Sequence, residues 1–243
     1  MAEARQLVLD LQQRPALGRA DFIVAPCNET ALAWIDRWPD WPQAVLVVHG
    51  PAGSGKSHLA QVWRRASGAA ELSGEDLAAA DPSTLLEGQQ ALLLEDLDRL
   101  LAVAGPTEEE QLLHLYNLLR EADARLLVTA RLAPARWRCA LPDLRSRLLA
   151  AHAVALQPPD DRLLEALLVK LFSDRQLRVS QPVVSYILPR VERSFAGLAG
   201  LVEAIDLAAL SNHREITVPL ARRVLDALSR ETETESKTDE REE

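Results

Sequence analysis

Gly50-Pro51-Ala52-Gly53-Ser54-Gly55-Lys56-Ser57 is a complete G-x-x-x-x-G-K-S pattern, and its residue types suit the capture of nucleotide phosphates. The glycines let successive backbone N–H groups turn inward around a phosphate, and the Ser57 hydroxyl can reach a Mg²⁺ ion. The chain has three lysines (Lys56, Lys170 and Lys237) against 24 arginines, yet keeps lysine here. A compact ammonium on a flexible stem slips between phosphate oxygens where a planar guanidinium is too wide. A chance glycine turn ahead of a helix would carry no such preference. A strand buried on both faces is expected before the loop, at Ala44-Val-Leu-Val-Val48. A helix opening at His58 is expected after it, its N-terminal dipole adding to the anion site.

Such a loop needs a second, acidic strand end to position metal and water. Ala91-Leu-Leu-Leu-Glu95-Asp96 supplies four apolar residues and then two carboxylates. Glu95 and Asp96 are the candidate Mg²⁺ ligands with Ser57; the residues alone leave open whether Asp96 is ligand or base. Arg125-Leu-Leu-Val-Thr129-Ala-Arg131 is a further buried strand, with Thr129 placed either to orient water or the γ-phosphate, or to cap a turn. Leu141-Pro-Asp-Leu-Arg145-Ser-Arg147-Leu148 sets two arginines two residues apart on an expected helix. Either could point into a neighbouring subunit's nucleotide, or both could be surface charge. Arg193 opens a later helix, within reach of folding back onto phosphates.

The elements that must position these residues fall into two patterns. Residues 1–20 form an arm, and from 21 to 157 apolar strand-like runs (Ala44–Val48, Ala91–Leu94, Arg125–Thr129, Ala153–Leu156) alternate with helical ones. That alternation predicts a parallel α/β sheet flanked by helices. From 158 to 229 the runs Asp160–Leu171, Gln181–Val191, Ser194–Ser211 and Val218–Ser229 predict an all-helical lid, with Asp160 and Ser180 as N-caps. Residues 230–243 hold seven acids against three bases and no apolar side chain, which predicts a solvated, disordered tail.

Hydrophobic content of 48% is ample for a core, and aromatic content of 4% makes that core aliphatic. A net charge of −9 argues against non-specific attraction to DNA. Cys27 and Cys139 have no partner at metal-ligand spacing and read as packing residues. The sequence has no apolar run of membrane-spanning length and no signal pattern, so a cytoplasmic location without membrane contact is expected.

Taken together, these segments resemble the AAA+ module of the bacterial DnaA/Hda family, over nearly the whole chain to about residue 229. Asp21-Phe22-Ile23-Val24-Ala-Pro-Cys-Asn28 is similar to the family's F-V-x-G-x-x-N segment. The resemblance implies that Ile23 and Val24 lie against an adenine, with ADP or ATP as the ligand. Leu115-Tyr116-Asn117 is similar to the helix before the sensor strand, and Arg147 falls at the family's arginine-finger position. Arg193 falls at its lid-sensor arginine.

The sequence ends after the lid pattern, without the family's DNA-binding helix-turn-helix, which points to the Hda branch. Gln6-Leu7-Val8-Leu9-Asp10-Leu11 resembles that branch's binding peptide for the β sliding clamp of DNA polymerase III. Such a peptide docks extended, with Leu9 and Leu11 in apolar pockets and Gln6 hydrogen-bonded at the rim. The resemblance implies contact with DNA only through the clamp, and DnaA as the partner whose ATP Arg147 would act on. Two departures from the family, Glu95 for an aspartate and Arg131 for an acid, imply weak intrinsic hydrolysis. A helicase-loader-type ATPase and a non-catalytic chromosome adaptor are the other readings; self-association is left open.

Overall fold

The computed structural model describes residues 22–212 and 215–239. The clamp-like segment Gln6–Leu11, with the rest of the arm, lies outside the described residues. In chain order the elements are α1 (Glu29–Asp36), β1 (Val45–His49), α2 (Lys56–Ser67), β2 (Ala70–Leu72), α3 (Gly74–Ala79), α4 (Pro82–Leu86), β3 (Ala91–Leu94), α5 (Leu97–Val103), α6 (Pro106–Glu121), β4 (Arg125–Ala130), α7 (Pro142–Ala150), β5 (His152–Ala155), α8 (Asp161–Asp174), α9 (Gln181–Ile187), α10 (Phe195–Asn212) and α11 (Val218–Asp239).

The five strands form one sheet in the order β2-β3-β4-β1-β5, and every pairing is parallel. Parallel strands covered by helices on both faces read as continuous apolar runs, which explains why β1, β3 and β4 stand out in the sequence. Their side chains alternate between two cores. Val45, Val47, Leu92, Leu94, Leu126 and Val128 pack on one face with Leu115 and Leu119 of α6 and Leu144 of α7. Leu46, Val48, Leu93 and Leu127 pack on the other with Leu32 of α1 and Leu59 and Trp63 of α2. Trp41 stacks on Trp63 at a centroid distance of 5.3 Å, so this second core is less aliphatic than composition suggests.

The chain after 158 builds a separate core from Leu164, Leu168, Phe172, Val183, Val184, Ile187, Leu198, Leu201, Val202 and Ile205. Asp160 caps α8 by accepting the Leu163 N–H at 2.8 Å. Helix α9 stops at Ile187 instead of running to Val191: Leu188 still has helical geometry, but Pro189 has no N–H to donate to the ladder. Ile23, Ala25 and Cys27 lean on this lid core, and the Gln157 N–H donates to Cys27 O at 3.1 Å. The segment before α1 therefore connects the lid to the sheet.

Two elements go beyond the pattern read from the sequence. The edge strand β2 goes unmarked in the sequence, since it has only three residues and one buried side chain, Leu72. The backbone of α11 continues into the acidic segment as far as Asp239. Glutamate, lysine and arginine are good helix formers, and extending a helix already nucleated by the packed turns Leu220–Val224 costs little. No helix among the described residues is long and apolar enough to cross a membrane.

Phe172, fully buried in the lid core, is a direct probe of that packing. Phe172→Ala is expected to cost about 3–5 kcal/mol in chemical denaturation. A cost below about 1 kcal/mol would mean that the lid core closes differently.

Candidate nucleotide site

The loop after β1 is shaped by what its glycines leave out. A Cβ on Gly50 would stand 2.3 Å from the Leu156 carbonyl oxygen, and one on Gly53 would stand 2.5 Å from Ser194 Cβ. Gly53 and Gly55 also sit at φ +73° and +94°, a region that disfavours any side chain. The loop is thus pressed against the exit of β5 and the entry of lid helix α10. Helix α2 starts at Lys56, and its first intrahelical bond runs from Leu59 N–H to Gly55 O at 2.9 Å. The N–H groups of Lys56, Ser57 and His58 precede that bond and have no acceptor within the helix, which leaves them aimed at an incoming anion.

Lys56 is 7% exposed, and its Nζ donates to Gly50 O and Pro51 O, both at 2.8 Å. Burial holds its pKa below the usual lysine range; Asp96, Asp98 and Glu95 oppose that shift, and Arg131 adds to it. Asp96 is the strongest of the three carboxylates acting on Lys56. The Ser54 hydroxyl oxygen is buried without a hydrogen-bond partner. A phosphate group suits this set: aimed N–H groups, a buried cation and an unanswered hydroxyl inside one loop.

Glu95 and Asp96 follow β3 and diverge. Glu95 Oε1 accepts from Gln61 Nε2 at 3.3 Å, toward the outer side of α2. Asp96 adopts a left-handed conformation at φ +51°, and its N–H donates to Thr129 Oγ1 at 3.0 Å. Thr129, 1% exposed, accordingly caps the backbone of the acidic strand end. Of the two acids, Asp96 is the nearer in electrostatic effect to Lys56, while the longer Glu95 is engaged elsewhere. Among the described residues no group of three or more His, Cys, Asp or Glu is gathered to hold a metal by itself. Ser57, Glu95 and Asp96 carry oxygen donors of the kind that Mg²⁺ takes, and Glu95 would have to leave Gln61 to serve as one.

Lid residues complete the surround. His58 lies between Phe22, at 5.3 Å, and Phe195 of α10, at 5.0 Å between ring centroids. Asn28 fixes the turn carrying Ile23 and the half-exposed Val24, accepting from Ala25 N–H and donating to Ile23 O, both at 2.9 Å. Arg193 precedes Ser194 at the loop, but its guanidinium is bound to Asp161 at 2.6 Å and to Pro159 O at 3.2 Å. It would have to exchange Asp161 to reach a phosphate. Arg147 lies on α7, with its Cζ 5.4 Å from the centre of the Tyr116 ring on α6. Arg145, on the same helix, is exposed.

The structure also brings in residues that carry no signal in the sequence. Asp98, two positions after Asp96, accepts the N–H groups of Arg131 at 3.1 Å and Leu132 at 3.0 Å, and so ties the end of β4 to α5. Phe195 and Gln61 join the site only because the lid and α2 fold over it.

Lys56→Ala is expected to weaken ADP and ATP binding at least tenfold in equilibrium titration; unchanged affinity would remove the loop from the site. Gly53→Ala, strained at φ +73° and crowding Ser194, is expected to weaken binding with the Lys56 side chain intact. Tight binding by that variant would mean that the lid contact is dispensable.

The lid and the core each have known likenesses. Residues 160–225 match the family described as Hda, lid domain. Domain III of the replication initiation protein DnaA from Thermotoga maritima superposes with a TM-score of 0.75 at 18% identity, over 88% of this chain and 97% of that one. AMPPCP-bound DnaA from Aquifex aeolicus gives 0.66 at 19% identity, over 82% of this chain and 67% of that one. The RuvB Holliday junction branch migration motor of Thermotoga maritima also gives 0.66, at 16% identity, over 87% and 72%. At these identities the likeness is one of fold: a five-stranded AAA+ sheet with a helical lid. The family match lies in the lid, over residues 160–225, and the core is similar in fold to domain III of DnaA.

Proposed function

We propose that this chain is a nucleotide-bound regulator of DNA replication initiation that stimulates hydrolysis of ATP bound to DnaA. The observation that carries the reading is the combination of an Hda-type lid with a complete phosphate loop whose glycines pack against that lid. ADP or ATP, with Mg²⁺ at Ser57 and the acidic strand end, would occupy Gly50–His58, and Ile23 and Val24 would border the base. When bound, Mg²⁺ supplies charge neutralisation on the phosphates. The Lys56 ammonium and the α2 N–H groups hold the same charge in place. Arg193 would sense the nucleotide by leaving Asp161.

The chain's own hydrolysis is slow in this reading. The Glu95 carboxylate is engaged by Gln61, and the Asp96 carboxylate lies 3.6 Å from the Arg99 guanidinium, so each acid has a partner of its own. The catalytic contribution goes outward instead. Arg147 would enter the nucleotide site of DnaA and neutralise charge developing on the γ-phosphate, an effect of about 10³–10⁵ in rate when an arginine is supplied in trans. The segment Gln6–Leu11 would tether the protein to the β sliding clamp on DNA and raise its local concentration near the initiator.

Hydrolysis of DnaA-bound ATP, with and without DNA-loaded clamp, tests the reading. Clamp-dependent stimulation is expected, and Arg147→Ala should lose it while keeping ADP affinity. Gln6→Ala combined with Leu9→Ala should lose clamp dependence alone. Stimulation that survives Arg147→Ala would sink the trans-arginine, and absence of any stimulation would favour a helicase-loader or adaptor role.

A further inference from the structure

Two carboxylates outside the phosphate loop, Asp98 and Glu109, are buried, at 9% and 4% exposed. Both grip one segment, the connection from β4 to α7. Asp98 of α5 accepts the N–H groups at its start, those of Arg131 and Leu132. The Trp137 indole folds back on it, donating to Leu132 O at 2.7 Å. Glu109 of α6 accepts the N–H groups at its end, Ala140 at 2.9 Å and Leu141 at 2.6 Å, with the Cys139 thiol at 3.6 Å from Oε2. Leu141 is the residue that opens α7.

Two helical turns further along α6, on the same face, Tyr116 places its ring beside the Arg147 guanidinium. Helix α6 therefore touches α7 at both ends of what matters: where the helix starts and where its arginine lies. A glutamate is suited to the first contact because an ionised carboxylate only accepts. Its two oxygens answer two adjacent N–H groups, and charge-assisted bonds of this kind hold geometry tightly. Glutamine at the same place offers one accepting oxygen and turns an NH₂ donor toward an N–H. The neighbours Glu108 and Glu110 could not substitute, since only the phase of Glu109 faces α7.

We propose that Glu109 is a positioning residue for Arg147: its carboxylate fixes the start of α7, and with the Tyr116 ring it sets the direction from which the guanidinium leaves this chain. This rests on the reading of Arg147 as the group that acts on a partner's ATP. A small displacement of such a group is costly, since about 1 Å can cost about 10²-fold in rate. The effect belongs in the maximal rate at saturating protein, because the docking surface itself is unchanged.

The test is a concentration series of full-length Glu109→Gln in clamp-dependent hydrolysis of DnaA-bound ATP, with Arg147→Ala alongside. The expected result is a maximal stimulated rate at least tenfold lower than wild type, with half-saturating concentration and ADP affinity within twofold. A maximal rate within twofold of wild type, or a loss confined to half-saturation, would overturn the proposal. Should Arg147→Ala keep full stimulation, the reading beneath it falls and this inference falls too. Should Arg147→Ala lose stimulation while Glu109→Gln keeps it, only the positioning role is lost. If Glu109→Gln fails to fold, by thermal unfolding and ADP binding, Tyr116→Phe and Tyr116→Leu decide instead. Phenylalanine should retain the maximal rate and leucine should lower it, and equal rates in the two would overturn the role of α6.

Discussion

The loop from Gly50 to Ser57 is the joint on which the rest of this structure hangs. Its backbone lies so close to the exit of β5 and the entry of the lid that no side chain fits at Gly50 or Gly53. That closeness fixes three elements against one another without any long side chain between them. Lys56 is then buried over the loop, its ammonium answered by two of the loop's own carbonyls. Burial disfavours the charged ammonium and the neighbouring carboxylates favour it, so the two pull its pKa in opposite directions.

From that joint a set of polar contacts spreads along the C-terminal edge of the sheet. Asp96 leaves β3 in a left-handed turn and is held by Thr129, and Asp98 holds the residues just after β4. Glu109 then holds the entry to α7. In each case a side-chain oxygen accepts backbone N–H groups that leave regular structure, and such groups are expensive to bury unpaired. The edge of the sheet that faces the phosphate loop and the helix that carries Arg147 are thereby kept in one frame.

Much of the fold was legible because its signals are local. Strands β1, β3 and β4 are apolar runs long enough to be buried on both faces, and Asp160 marks the first lid helix by its own capping chemistry. Strand β2 was not, since its pairing with β3 depends on a neighbour and not on its own three residues. Composition counts charge along the acidic segment, whereas a helix already started by Leu220–Val224 can carry charged residues onward as far as Asp239. At the site, Lys56, Asp96 and Thr129 announce themselves by spacing. Glu109 sits in a run of three glutamates and is distinguished only by which way α6 faces. Arg193 was visible as a cation near the loop, but its bond to Asp161 joins residues far apart in the chain.

The proposed function has this chain hold a nucleotide in its phosphate loop and act through an arginine on the ATP of a partner. The most direct measurement is single-turnover phosphate release with the radiolabelled ATP loaded either on DnaA or on this chain before mixing, in the presence of DNA-loaded clamp. Rapid release from label carried by DnaA, with label on this chain released near background, is the expected result. Rapid release from this chain's own label, with none from DnaA, would contradict a regulator acting in trans and make it an ATPase in its own right.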